Sequence, residues 1–167
     1  LRRIVITHGH IDHAGGLAPL LAAFPDAELC VGQREYLLMT GDRRGMPGEP
    51  GRQVRGQFYK LKTKPQRLLA PGDRVGSLEV HPAAGHTPGQ IALRDKRDAT
   101  LLCGDAFHTV GGLTPITTFT LRFPWPYFAN WDAVTAMETA ARLLRLNVNR
   151  IAPGHGPVTV LSTRPTN

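Results

Sequence analysis

Ile4-Val5-Ile6-Thr7-His8-Gly9-His10-Ile11-Asp12-His13 puts three histidines and an aspartate within six residues, directly behind a short apolar run. Such a run reads as a buried strand. Gly15-Gly16 and an apolar helical pattern follow it. Imidazole and carboxylate donors crowded at a strand end suit a metal that takes N and O ligands, zinc first. A strand running out into a loop aims alternate side chains to one side, so His8 and His10 can grip one ion. Asp12 and His13 come after the turn and can face a second. One ion would not need four ligands from one loop and still keep an open position for substrate.

The other histidines are His81, His86, His108 and His155. His86 lies in Gly85-His86-Thr87-Pro88-Gly89, a tight turn between two apolar runs. His155 lies in Pro153-Gly154-His155-Gly156-Pro157, after Arg150-Ile151-Ala152. Asp105 closes the apolar run Leu101-Leu102-Cys103-Gly104. Each is a ligand type on a loop at a strand end, beside glycine that lets the backbone approach closely. His81 stands in the alternating run Leu78-Glu79-Val80-His81 and reads as structural. Thr87 and Gln90 flank His86 and could hydrogen-bond the ligands.

With these motifs the chain resembles the metallo-β-lactamase-fold hydrolase superfamily, in particular its glyoxalase-II-like and lactonase-like members. The matching residues are HxHxDH at 8–13, Gly85-His86-Thr87, Gly104-Asp105 and Gly154-His155-Gly156. The resemblance implies an α/β fold, the αββα metallo-β-lactamase sandwich. It implies His8, His10 and His86 on one metal, Asp12, His13 and His155 on the other, and Asp105 bridging both. The cofactor would be two divalent ions, zinc first, with manganese or iron as alternatives. A hydroxide held between them would be the nucleophile, with Asp12 also part of the catalytic set. Lactone hydrolases of the superfamily carry a tyrosine where His108 stands. A neutral imidazole there could donate to a developing oxyanion or pass a proton to the leaving group. Asp105 argues against the zinc β-lactamases with cysteine at that place, and His13 against those with arginine in the motif. His10 argues against the diiron electron-transfer relatives, which usually carry glutamate there. A single-iron persulfide dioxygenase would use part of the same set.

At 167 residues and 41% hydrophobic content the chain is one domain with enough apolar material for a core. The superfamily usually places several strands before HxHxDH and a helix after the last histidine. Only Leu1 to Ile6 precede Thr7, and only Gly156 to Asn167 follow His155. The expectation is a partial domain over 1–167 that lacks part of the N-terminal half and the C-terminal helix. Its bare sheet edge would be covered by a missing segment or by a second copy in a homo-oligomer. No secretory signal or apolar run of membrane-spanning length occurs, so the expected location is cytoplasmic, away from membranes. Cys30 and Cys103 sit in apolar runs and read as buried thiols.

The apolar stripe Leu17, Leu20, Leu21 and Phe24 predicts a helix over 14–24, ended by Pro25. A strand is expected over 28–31 and a helix over 33–39. Residues 41–67 break the pattern: glycine- and proline-rich, they carry +6 of the chain's net +7. This segment reads as a lid that attracts anions, or as a solvated loop. Strands are expected at 67–70, 78–83, 90–94, 99–103 and 150–152. A helix over 131–146 is expected to be capped by Asn130. Between them, 106–130 reads as a second long loop. Seven of the chain's eleven aromatics fall between Phe107 and Trp131. They could wall a pocket for an apolar substrate group, or serve ordinary packing.

The leading expectation is a dinuclear metal-dependent hydrolase of a small ester, thioester or lactone. A nuclease of the same superfamily is the alternative, supported by the pI near 10.1 and the basic loop, although nucleic acid is not the favoured partner. A further alternative is a non-catalytic fragment whose ligand loops are poorly held.

Overall fold

Alternation along the first strands decides which layer each face meets. In the computed structural model, which describes residues 1–161, the chain runs β1 (Arg3–Ile6), α1 (Ile11–Ala14), α2 (Leu17–Ala23), β2 (Glu28–Gly32), α3 (Gln33–Met39) and β3 (Arg67–Leu69). Next come β4 (Arg74–Val75), β5 (Leu78–Pro82), β6 (Ile91–Asp95), β7 (Thr100–Gly104), β8 (Phe107–His108) and β9 (Thr114–Pro115). The order closes with α4 (Trp125–Ala129), α5 (Ala133–Arg145), β10 (Arg150–Pro153) and β11 (Thr159–Val160).

β1, β2 and β3 form a parallel sheet, with Ile4 opposite Leu29 and Cys30 opposite Arg67. Successive side chains on a strand point to opposite faces. Ile4, Ile6, Leu29 and Val31 therefore bury against Ala14, Leu17 and Met39 of the helices. Val5 and Cys30 point the other way and meet Val80, Ile91 and Leu93 of a second sheet. That sheet has the order β11-β10-β7-β6-β5-β4. Its far face, Ala92, Leu101, Cys103 and Ile151, packs on Ala140 and Leu143 of α5. The layers are thus helix, sheet, sheet and helix. No helix among the described residues is long and apolar enough to cross a membrane. Cys30 and Cys103 are buried free thiols, as expected.

Several elements differ from the sequence reading. The helix expected over 14–24 starts only at Leu17, as α2, and a separate short helix, α1, ends at Ala14; Gly15 and Gly16 lie between them, where glycine has no side chain to restrain the backbone in a helix. Asn130 is not the cap of the long helix. Asp132 is, its Oδ2 accepting the Thr135 N–H at 2.9 Å. The 106–130 segment contains β8, β9 and α4, which are too short to leave a periodic pattern. The stretch beyond 161, including most of the tail in which no terminal helix is expected, lies outside the described residues.

Candidate metal centre

Four loops meet at one end of the sandwich. They follow β1 (residues 7–13), β5 (83–90), β7 (Asp105) and β10 (154–157). Backbone bonds tie them together: Ile91 N–H donates to Thr7 O at 2.9 Å, and Gly154 N–H to Gly104 O at 2.9 Å. Glycines permit the crowding. A Cβ on Gly154 would stand 2.3 Å from His13 Cε1 and 2.5 Å from Asp105 Oδ1. Gly85, at φ +136°, lies so close to α5 that its Cβ would fall 2.3 Å from Ala136 Cα.

The ring nitrogens of His8, His10 and His86 gather within 4.8 Å of one another. Outer bonds decide which nitrogen of each ring faces in. His10 Nε2–H donates to Arg55 O at 3.2 Å, leaving Nδ1 as the inward acceptor. Asn130 donates through Nδ2 to Ile116 O at 3.0 Å, which turns its Oδ1 toward His86. His86 Nδ1–H therefore donates to Asn130 Oδ1 at 3.0 Å and leaves Nε2 as the inward acceptor. The two inward nitrogens, His10 Nδ1 and His86 Nε2, are 2.9 Å apart. Two lone pairs at that range repel unless a cation lies between them. Ligands on one tetrahedral ion, with bonds of roughly 2.0–2.1 Å, stand about 3.3 Å apart. The donor set fits a metal.

A second group, Asp12, His13 and His155, lies beside the first. His13 Nε2 is 3.1 Å from His155 Nε2, and Asp12 Oδ2 is 3.3 Å from the latter. Asp105 spans the two groups. Its Oδ1 is 3.3 Å from His13, and its Oδ2 is 3.3 Å from His155 and 3.5 Å from His86. His8 Nε2 and Asp105 Oδ1 are buried without hydrogen-bond partners. Buried polar atoms without partners are costly in a finished fold, and here both point into the cluster.

The electrostatics suit ligands. Burial holds His8 and His86 below the usual imidazole range and His10 down to about 4. These rings are neutral, with a lone pair free, at pH 7. Burial pushes the Asp105 carboxyl up, but the close His13, His155, His86 and His8 rings outweigh it and hold the group well below the carboxylate range. Asp105 is the ionised centre of the site.

All seven ligand candidates thus converge: His8, His10, Asp12, His13, His86, Asp105 and His155. His81 joins neither group. Thr87 and Gln90 do not bond the ligands. Thr87 Oγ1–H donates to Glu35 at 2.8 Å and Gln90 Nε2–H to Cys103 O at 3.4 Å. His108 is 1% exposed, so it is not a surface residue, and both ring nitrogens lack partners. Burial lowers its pKa, although Asp105 nearby opposes this. The basic segment 41–67 does not float free. Ile11 N–H donates to Gln57 O, Tyr59 N–H to Gly9 O, and Trp131 Nε1–H to Arg52 O. It is stitched along the first metal loop.

Two positions escape the sequence reading. Asn130 is the outer partner of His86. Glu35 is fully buried and bonded to the backbone between His8 and His10. Its signal was available: Glu35, Leu38 and Met39 share the buried face of α3, and a carboxylate in an apolar stripe asks for a partner.

Outside comparison agrees with this geometry. The family profile described as the Metallo-beta-lactamase superfamily matches residues 1–155. The chain belongs to that superfamily. It is a metallo-hydrolase by family and by its ligand clusters. It is 38% identical over 157 residues to the uncharacterized protein YobT of Bacillus subtilis (strain 168), covering 93% of this chain and 67% of that protein. It is 36% identical over 115 residues to the hydroxyacylglutathione hydrolase of Cupriavidus taiwanensis, covering 66% of this chain but 38% of that enzyme. The crystal structure of TTHA1623 in a di-iron-bound form superposes with a TM-score of 0.65 at 27% identity, covering 95% of this chain and 71% of that one. The metallo-β-lactamase α/β fold therefore extends over nearly the whole chain.

Proposed function

We propose that this protein is a dinuclear metal-dependent hydrolase of a small ester, thioester or lactone that carries an apolar group. The observation that carries the reading is the cleft over the metal centre. It encloses about 310 Å³, at the small end of the usual range for ligand sites. Its lining includes the ligand candidates His10, Asp12, His86, Asp105 and His155 together with the apolar Ile11, Phe123, Trp125, Pro126 and Ala129. A carbonyl at the ligand candidates would leave its apolar substituent among these apolar side chains.

Two divalent ions in this donor set supply Lewis acidity to a carbonyl oxygen and a nucleophile from water near neutral pH. The di-iron form of TTHA1623 supports a two-metal occupancy and leaves zinc, manganese and iron all open. The chain's own residues do the rest. Asp12, half-exposed at the cleft, accepts hydrogen bonds beside the reacting carbonyl. Phe123 and Trp125 hold the apolar group and exclude water. His108, neutral and without partners among the described residues, relays a proton to the departing group, one ring nitrogen taking up a proton as the other releases one. It is not among the cleft-lining residues, so this contact runs through a water.

Among the described residues, no lysine or arginine lines the cleft. Within the basic segment, Arg44 pairs with Asp42, Arg52 with Asp132, and Arg43 covers the Phe58 ring. A neutral carbonyl compound fits this lining better than a phosphodiester, whose binding rests on cationic contacts.

A panel of aryl and alkyl esters, thioesters and lactones tests the reading with metal-loaded protein. Turnover should favour substrates with a neutral apolar group. Trp125→Ala should raise KM for these about fivefold, near 1 kcal/mol of lost aromatic contact, with kcat little changed. Cleavage of phosphodiesters with no turnover of any member of the panel would reject the assignment.

A further inference from the structure

Glu35 lies in the first turn of α3, away from both ligand groups, yet its carboxylate joins their loops. Its Oε1 accepts the Gly9 N–H at 2.7 Å. Its Oε2 accepts the Thr87 hydroxyl at 2.8 Å. Gly89 follows Thr87 by two residues and packs on the backbone of the same turn of α3. Gly89 is drawn so close that a Cβ there would fall 2.3 Å from Glu35 N.

The donors' positions matter. Gly9 stands between His8 and His10, and Thr87 follows His86 directly. Every ligand of the three-histidine group therefore neighbours, in sequence, a residue held by this one carboxylate. Among the described residues it forms no ion pair, although Arg34 acts on it through space. The adjacent Arg34 is engaged by Glu49 at 2.7 Å and 3.1 Å. Burial pushes the Glu35 carboxyl up to about 7, opposed by these hydrogen bonds. A fully buried acid without an ion pair is an expensive residue for packing alone. Its acceptors, aimed at donors from two separate loops, give it a purpose.

We propose that Glu35 is a positioning residue for the three-histidine metal group, fixing the loop of His8 and His10 against the loop of His86. The proposal rests on the metal-site reading above. It assigns Glu35 no contact with substrate or metal. The two donors sit on different carboxylate oxygens, and an amide at this position keeps only one acceptor oxygen, so Glu35→Gln leaves one donor unpaired. Thr87→Val keeps the shape of Thr87 and removes one donor without touching the carboxylate.

The test titrates cobalt(II) into metal-free protein in a His155→Ala background. That background disables the second group, so bound cobalt reports the three-histidine group. Folding is followed separately by circular dichroism and Tm without metal. We expect Glu35→Gln to weaken cobalt binding about 10–100-fold, the size typical of residues that orient metal ligands. The cobalt d–d absorption should shift as well. Thr87→Val should move both readouts in the same direction by less. If Glu35 only supports the fold, the variants lower Tm but folded protein binds cobalt with unchanged affinity and spectrum; that result overturns the proposal. If Glu35→Gln does not fold, Thr87→Val decides, and unchanged cobalt binding there is again fatal. Failure of the His155→Ala background itself to bind cobalt removes the three-histidine site and the role of Glu35 together.

Discussion

Asp105→Ala lowers kcat/KM by at least about a thousandfold, or about 4 kcal/mol of transition-state stabilisation, and strips metal from both groups. The carboxylate comes within 3.5 Å of ligand candidates in each group: His86 in one, His13 and His155 in the other. It is 2% exposed and ionised. Without it, only imidazoles and the more exposed Asp12 remain around the place where two cations are to be held close together. The bridging anion offsets the repulsion between those cations, so its loss weakens both. Asp105→Asn is the matched control, because it keeps the volume and removes the charge. Metal analysis of both variants, with rates on the best carbonyl substrate, checks the prediction. Two ions per chain in Asp105→Ala would end the bridging assignment.

Gly154→Ala disables the site without unfolding the protein. The residue lies on an exposed loop and is not among the glycines with positive φ, so an added methyl strains no backbone. The damage is local and directional. The new Cβ would stand 2.3 Å from His13 Cε1 and 2.5 Å from Asp105 Oδ1. Both ligands must retreat. A displacement near 1 Å at a reacting centre costs about a hundredfold in rate. The expected result is an unchanged circular dichroism spectrum, a loss of at least a hundredfold in kcat on that scale, and metal content below that of the parent. A fully active, fully metallated Gly154→Ala would mean that the loop of His155 has room to move, and that the close approach to His13 and Asp105 is not needed.

The residues that converge as ligand candidates were legible in the sequence because their chemistry is local. HxHxDH crowds its donors into one loop, and the other three ligands each follow or interrupt an apolar run next to glycine. The sheet faces were legible too, through alternation such as Ile4-Val5-Ile6. The supporting interactions were not. Asn130 reads as a helix cap from its neighbours, and only the tertiary approach of the loop of His86 turns its amide to Nδ1. Asp132, two residues on, takes the cap because its backbone is extended and its carboxylate reaches Thr135. The break between α1 and α2 was signalled by Gly15-Gly16 but masked by the continuous apolar stripe beyond them. The attachment of 57–59 to the first metal loop involves backbone groups, which carry no sequence signature. Glu35 sits between these cases: its place in an apolar stripe is visible, but its partners come from loops 26 and 52 residues away in sequence.

Two ions bound by one cluster are the central expectation for this site. The direct measurement is the metal content of the protein, purified without added metal and analysed by elemental mass spectrometry before and after equilibration with zinc, manganese or iron(II). The geometry predicts close to two ions per chain after equilibration, falling with Asp105→Ala. Fewer than one ion per chain with every metal, in protein that remains folded, would contradict it.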